Sequence, residues 1–332
     1  MNILILKDGS PSSSLMLTPV LKALSSSGHS VYLLINSGAD FPNMEGLFND
    51  LEYVDGVKGF DATKEKNGDA TIAWIVSKKI DVCIESFPSN TGFKWLYPYL
   101  DCEAIIRAPR ISETHNHEVD INLEMVKNII GENPSSLYDI PHYSFKHIDA
   151  LLAPFEDKVK VVVCPSFKKD GIDVKKNWGI ENYARFINLL SNDFKVILVD
   201  DYEGIGICNH IEHLAPAALN LAGLLNLEEC MAAIDSADVV ISNDSYLAHL
   251  AAGLDKFLMV FFRDDEIEKR RPVGPKTIIL KANANEHKCF PASDHDGCFC
   301  IGSIPPESVY NAVVKYILPE LDKEKKAQPI GV

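Results

Sequence analysis

No apolar run in the sequence approaches the roughly 20 residues that a membrane-crossing helix needs, so a helical transmembrane anchor is not expected. The opening residues, Met1-Asn2-Ile3-Leu4-Ile5-Leu6-Lys7, have neither a basic leader region nor a cleavage site, and they read as a short buried strand rather than a signal peptide. Basic charge is scarce. Against 47 Asp and Glu there are only 32 Lys and Arg, a net charge of −15, which argues against a general binder of nucleic acid or anionic membrane because phosphates are repelled. A local basic pocket remains compatible with that balance. Neither half carries GxGxxG after its first strand, which disfavours a standard nicotinamide or flavin site. The absence of GxxxxGK[ST] excludes a P-loop, and no short-period repeat is present. Of 8 cysteines, five lie scattered in apolar or helical contexts, the pattern of reduced, buried thiols in a reducing cytosol.

What is present is a chain of 332 residues with 46% hydrophobic and 24% charged residues, enough for roughly two domains with sizeable cores. Short β-rich runs alternate with amphipathic helical stretches, the signature of an α/β fold with parallel sheets. In the first half, residues 3–7, 30–35, 80–86 and 104–107 read as strands, and 14–26, 71–79 and 119–131 as helices. Residues 132–158 show no clear period and read as a linker. The second half begins afresh with the apolar strand 159–164. Strands at 195–199, 239–242, 257–261 and 278–281 come after it, with helices at 180–191, 227–236, 245–253 and 305–318 and a frayed tail from Asp322. The expected organisation is one Rossmann-like domain at 1–150, a second at 157–304, and a closing helix with its tail at 305–332.

In such folds ligands bind beyond the carboxyl ends of strands, at loops that open helices. That rule selects residues 8–14, 85–91, 165–178 and 243–249. The most informative segment is Asn220-Leu221-Ala222-Gly223-Leu224-Leu225, together with Val239-Val240-Ile241-Ser242-Asn243-Asp244-Ser245-Tyr246-Leu247-Ala248-His249-Leu250-Ala251-Ala252-Gly253. An apolar strand ends at Ser242, and a helix begins at Asp244-Ser245. The amides of its first turn and the positive end of its dipole suit a diphosphate. Taken alone, the same residues fit a simple N-cap and a satisfied core histidine.

The surroundings tip that balance. Asn-Leu-Ala-Gly at 220–223, Leu-Glu at 227–228 and Ser-Asn-Asp-Ser-x-x-x-His-x-Ala-Ala at 242–252 closely resemble the family 9 glycosyltransferases, best known as ADP-heptose:lipopolysaccharide heptosyltransferases. Other pieces fall in matching order. They are the opening strand, loop and helix at 3–21 with Thr18-Pro19, the Lys-x-Trp block Lys176-Asn177-Trp178 with Tyr183-Ala184, and the late cysteines with Ile304-Pro305-Pro306-Glu307-Ser308-Val309. The resemblance is thinnest between residues 36 and 157. It implies a GT-B fold, two Rossmann-like domains facing across a cleft, with the nucleotide-sugar donor on the second and the acceptor on the first. It places Lys176 on donor phosphate, Asp244 on donor sugar hydroxyls, Ser245, Tyr246 and Leu247 on phosphate, His249 at the motif histidine, and Leu225 beside the base of the nucleotide. Trp178 reads as a packing residue.

The reaction implied is inverting transfer of a sugar, heptose first among candidates, from an ADP-sugar to a lipopolysaccharide-core-like glycolipid or oligosaccharide acceptor. The ADP-sugar is a substrate, and no cofactor or metal is required. No nucleic-acid partner is expected, and the location implied is cytoplasmic, with at most peripheral contact with the inner membrane. Two positions depart from the pattern. The family's Gly-Asp, whose aspartate is the proposed base, falls on Ser12-Ser13, and a serine hydroxyl is far too weak a base to replace a carboxylate. Tyr246 stands where the family has glycine. Glu85, closing the strand at 80–86, is the replacement base expected from sequence, ahead of Asp8. The alternatives are a diverged nucleotide-sugar-binding protein without catalysis, or a transferase for another sugar or acceptor. His287, Cys289, His295, Cys298 and Cys300 crowd together, and three thiols with two imidazoles are a set that could hold zinc, but the spacing is not a standard metal-ligand pairing, and a structural thiol cluster or disulfide is the expected reading there.

Overall fold

The structure, a computed structural model, describes residues 1–7, 10–36, 44–60, 68–86, 91–109, 115–131, 133–165, 177–190, 193–262, 267–281 and 301–327. The chain divides into two compact units, Met1–Pro141 with Glu268–Val273, and His142–Ile267 with Gly274–Val332.

The first unit contains β1 (Asn2–Lys7), α1 (Pro11–Leu15), α2 (Thr18–Ser26), β2 (Ser30–Asn36), α3 (Met44–Asn49), β3 (Gly56–Phe60), α4 (Asp69–Ser77), β4 (Val82–Glu85), β5 (Ala104–Arg107) and α5 (Glu118–Val126). Its sheet is parallel in the order β3-β2-β1-β4-β5. The run Ile3-Leu4-Ile5-Leu6 is wholly buried, because a central parallel strand is covered on both faces. The order reverses between β1 and β4, where Leu6 pairs with Glu85. A parallel sheet offers its ligand crevice beyond the carboxyl ends of such a strand pair.

The second unit contains α6 (Lys146–Leu152), β6 (Val159–Cys164), α7 (Ile180–Leu189), β7 (Phe194–Leu198), α8 (Ile205–Leu214), β8 (Leu219–Asn220), α9 (Leu227–Asp235), β9 (Val239–Asn243), α10 (Tyr246–Gly253), β10 (Phe257–Phe261), α11 (Ile267–Arg270, whose last three residues belong to the first unit), β11 (Thr277–Leu280), α12 (Pro306–Ala312) and α13 (Leu318–Ala327). Its parallel sheet runs β11-β10-β9-β6-β7-β8, and the reversal lies between β6 and β9, where Cys164 pairs with Ser242. Both sheets are therefore of the Rossmann type, and the fold class is α/β with two parallel sheets.

Several elements differ from the sequence expectation. The helix expected over 14–26 is two helices. Pro19 has no N–H to offer the carbonyl four residues back, and the Thr18 hydroxyl bonds that Leu15 carbonyl instead, at 2.9 Å. The stretch read as a linker holds α6, which buries Ile148 and Leu152 on one face. Strands β3 and β8 and helices α3 and α8 were not expected. The closing helix passes through a π-helical turn at Val313–Ile317 and continues to Ala327, with Lys325 paired to Asp238 at 3.2 Å, so residues 322–327 are helical where fraying is expected from sequence. Among the described residues no helix is long and apolar enough to cross a membrane.

Candidate active site

In the second unit the candidate site grows out of the carboxyl end of β9, a strand buried along its whole length. Its last residue, Asn243, is completely buried and acts as a hydrogen-bond hub. Its Oδ1 accepts from the Tyr183 hydroxyl at 2.9 Å and from the Trp178 backbone N–H at 3.4 Å. Its Nδ2 donates to the Pro165 carbonyl and to Asn177 Oδ1. One side chain thus fastens β9 to the segment after β6 and to the residues that open α7. Trp178, expected as packing, is also fully buried. It stacks on Phe261 with ring centroids 4.4 Å apart, meets Tyr183 edge-on at 4.8 Å, and donates from its indole N–H to the Ile304 carbonyl at 2.8 Å.

The hub anchors the turn into α10. Asp244 and Ser245 are half-buried in that turn. Ser245 is the N-cap residue of α10 in extended conformation, yet its side chain makes no capping bond. Its hydroxyl lies 3.3 Å from that of Ser242. The first-turn N–H groups of a helix have no intrahelical acceptor, so Tyr246 and Leu247 present amides at the positive end of the helix dipole. Leu247 and His249 are buried inside the helix face. The Tyr246 ring is half-buried, and burial, then the nearby Asp201, Cys230 and Asp200, push the ionisation of its hydroxyl up. The phenol is therefore a neutral hydrogen-bonding group within electrostatic reach of the carboxyl ends of β6 and β7.

Leu225 is half-buried on the turn between β8 and α9. That turn is set by Gly223, whose φ of +70° favours glycine and where a Cβ would collide with the Ile205 side chain. The Gly223 N–H bonds the Asp200 carbonyl at 3.0 Å, and Asn226 closes the turn with a capping box to Glu229. The Leu225 carbonyl receives a weak bond from the Cys230 thiol at 3.9 Å. Burial, then Asp200, hold that thiol up to about 12, so it is inert at neutral pH.

In the first unit, the reversal between β1 and β4 brings forward Ser13 and Glu85. Glu85 is buried, accepts from the Tyr97 hydroxyl, and has the Arg107 guanidinium Nε at 3.8 Å. Arg107 in turn lies 4.4 Å over the Tyr97 ring. Burial and the bond to Glu85 push the Tyr97 hydroxyl up to about 12. Ser13 sits in the short helix α1, whose N-cap Ser10 accepts from the Ser13 N–H at 3.3 Å. Its hydroxyl accepts from Lys7 Nζ at 2.7 Å and donates to Glu118 Oε1. Lys7 and Glu118 are themselves paired at 3.0 Å, both essentially without exposure.

Lys176, Asp8, and the cluster His287, Cys289, His295, Cys298 and Cys300 lie outside the described residues. Among the described residues, no group of His, Cys, Asp and Glu is arranged to hold a metal. Sequence reasoning passed over Asn243 as a hub and Glu118 as a partner of position 13. A signal for the second existed: Lys7 prolongs a run of buried apolar residues, and a charge there demands a counter-charge.

Two parallel sheets of this kind in tandem, with a strand-to-helix turn at the reversal of the second, are the architecture of the GT-B class. A sequence model of glycosyltransferase family 9 (heptosyltransferase) matches residues 110–299, and the chain belongs to that family. Lipooligosaccharide heptosyltransferase 2 of Haemophilus influenzae is 27% identical over 112 residues, so the match spans 32% of each chain. Among solved structures, the chain is similar to the E. coli ADP-heptose lps heptosyltransferase II, with a TM-score of 0.73 and 14% identity over 98% of this chain and 100% of that one. A family 9 glycosyl transferase from Veillonella parvula gives 0.79 and 13%, over 96% and 97%. The E. coli heptosyltransferase WaaC with ADP gives 0.69 and 15%, over 95% and 99%. At these identities the structures speak for the fold.

Proposed function

We propose that the protein is an inverting glycosyltransferase that moves a heptose from an ADP-sugar to a lipopolysaccharide-core-like acceptor. The turn from β9 into α10 carries this reading, because the Asn243 hub holds Asp244 and Ser245 at the amino end of a helix whose cap hydroxyl is uncommitted to capping. In this scheme Asp244 binds donor sugar hydroxyls, and Ser245 with the amides of Tyr246 and Leu247 grips the diphosphate. His249 braces the helix from within, Leu225 lines the base through its backbone, and Lys176 neutralises the departing diphosphate. A cation and aligned amides at the leaving group supply the stabilisation that a metal would otherwise give. The acceptor hydroxyl attacks the anomeric carbon from the face opposite the diphosphate while a base takes its proton.

The similar E. coli WaaC structure is that of a heptosyltransferase with ADP, which supports adenosine diphosphate as the leaving group here. The test is ADP release from ADP-heptose with lipopolysaccharide core acceptors, beside calorimetry with ADP alone. Release that depends on acceptor is the expected result. ADP binding without release on any core acceptor would refute transfer to these acceptors and leave a nucleotide-sugar-binding protein. Absence of both would refute the reading altogether. A cytosolic protein meeting its acceptor at the inner membrane surface agrees with a net charge of −15, which disfavours tight adhesion to anionic lipid.

A further inference from the structure

We infer that Glu118, acting through the Ser13 hydroxyl, receives the proton of the sugar-accepting hydroxyl and so supplies the carboxylate that position 13 lacks. The inference rests on the proposed transfer reaction. Three residues far apart in sequence are brought together beyond the carboxyl end of β1: Lys7 from the strand, Ser13 from α1, and Glu118 from the first turn of α5. A hydroxyl has one proton to give and two lone pairs. Ser13 gives its proton to Glu118 Oε1 and takes one bond from Lys7 Nζ at 2.7 Å, which leaves one lone pair for an incoming hydroxyl. Glu118 is 1% exposed, and its Oε2 is buried without a hydrogen-bond partner among the described residues. One of its two oxygens is therefore left without a described donor to stabilise its charge.

Glu85 is placed differently. Its Oε2 is bound by the Tyr97 hydroxyl and faces the Arg107 guanidinium, whereas the carboxylate bonded to the Ser13 hydroxyl is Glu118.

The step balances without an added reagent. The acceptor O–H gives its proton to Ser13 Oγ as the Ser13 proton passes to Glu118 Oε1. The acceptor oxygen forms its bond to the anomeric carbon, the bond from that carbon to the diphosphate oxygen breaks, and the electron pair leaves with the nucleoside diphosphate. Glu118 becomes a carboxylic acid beside the Lys7 ammonium and returns its proton to solvent after products depart. Ser13 touches the reacting atom in this scheme, and Glu118 is the positioning residue behind it.

The experiment measures acceptor-dependent ADP release from ADP-heptose by the full chain, as kcat against pH, for the wild type, Ser13→Ala, Glu118→Gln and the double variant Ser13→Asp/Glu118→Gln. General-base assistance is worth about 10²–10⁴ in rate. Ser13→Ala, which keeps the Lys7–Glu118 pair, is expected to lose about a hundredfold in kcat with the donor KM within about twofold. The acid limb of the wild-type profile is expected to vanish from the residual activity of Glu118→Gln. The double variant, which moves the carboxylate to position 13 and keeps a counter-charge for Lys7, is expected to regain most of the rate. Should Glu118→Gln fail to fold, Ser13→Ala and the double variant carry the test. Ser13→Ala with wild-type kcat, or an acid limb that persists in Glu118→Gln and disappears in Glu85→Gln, would overturn the relay while the transfer reaction stands. A wild type that releases no ADP from ADP-heptose would overturn the transfer reaction and the relay with it.

Discussion

Replacing Asn243 by alanine removes a side chain that joins β9 to Pro165 after β6 and to the residues that open α7. The Tyr183 hydroxyl and the Pro165 carbonyl both lose their Asn243 partner in the interior, and the Trp178 N–H loses a longer bond of 3.4 Å. A buried polar group left unpaired costs about 1–3 kcal/mol, so two strong losses and one weak one sum to about 3–4 kcal/mol. For a unit of this size about 2–4 °C accompanies each kcal/mol, so the thermal transition of the second unit should fall by roughly 10 °C. Calorimetry resolves it, and the fluorescence of Trp178, stacked on Phe261, reports on the same unit. Because Asp244 and Ser245 hang from this hub, the affinity for ADP should drop about tenfold, or 1.4 kcal/mol. Tyr183→Phe removes the donor from the other side. The double variant should therefore cost less than the two single variants together, with a coupling on the order of 1 kcal/mol. A fall of less than about 3 °C with unchanged ADP affinity would show that the hub does not hold the turn, and the link from Asn243 to the donor site would fail.

The same geometry gives three further outcomes. His117 caps α5 by accepting from the Val119 N–H at 3.2 Å, and its Nε2–H reaches the Arg271 carbonyl at 2.9 Å, a pairing that requires the neutral ring. Burial holds its pKa below the ordinary 6.5 although the Arg271 carbonyl favours the proton. A depressed folded pKa gives stability that is complete above about 6.5 and lost as pH falls toward the folded value. Urea midpoints of the first unit should decline between about pH 7 and pH 5, and His117→Asn, which keeps a capping side chain, should flatten that slope; an unchanged slope would exclude His117 as its source. Lys176→Ala should lower kcat/KM for the ADP-sugar about a hundredfold, the usual loss when one charge-stabilising donor is removed, measured by ADP release; a change below about threefold would take Lys176 off the phosphate. Gly223→Ala forces a side chain into a φ of +70° and against Ile205, which should cost at least about 1 kcal/mol in a denaturant titration and weaken ADP binding by shifting Leu225.

Strands β1, β6 and β9 are legible in the sequence because a central parallel strand is buried on both faces and must be apolar throughout, as in Ile3-Leu4-Ile5-Leu6 and Val239-Val240-Ile241. Of the edge strands, β5 and β11 keep enough apolar residues to be read, while β3 and β8 do not. Strand β3 reads Gly-Val-Lys-Gly-Phe and β8 is two residues long, and what defines each is its neighbour rather than its own composition. The same division runs through the site. The turn at 243–245 is visible because strand, turn and helix are contiguous, whereas the work of Asn243 depends on Tyr183 and Pro165, which only the folded sheet brings to it. Position 13 is the sharper case. Its serine reads as the loss of a base so long as attention stays on the local loop, because its partner lies 105 residues away. Yet the requirement for that partner is written into β1. A lysine that closes a strand buried on both faces cannot keep its charge without an anion beside it, and the anion that answers Lys7 is bonded to a side chain among those that Lys7 touches. The hydroxyl of Ser13 is one of those, so the residue that neutralises the strand also equips the position where a carboxylate is missing.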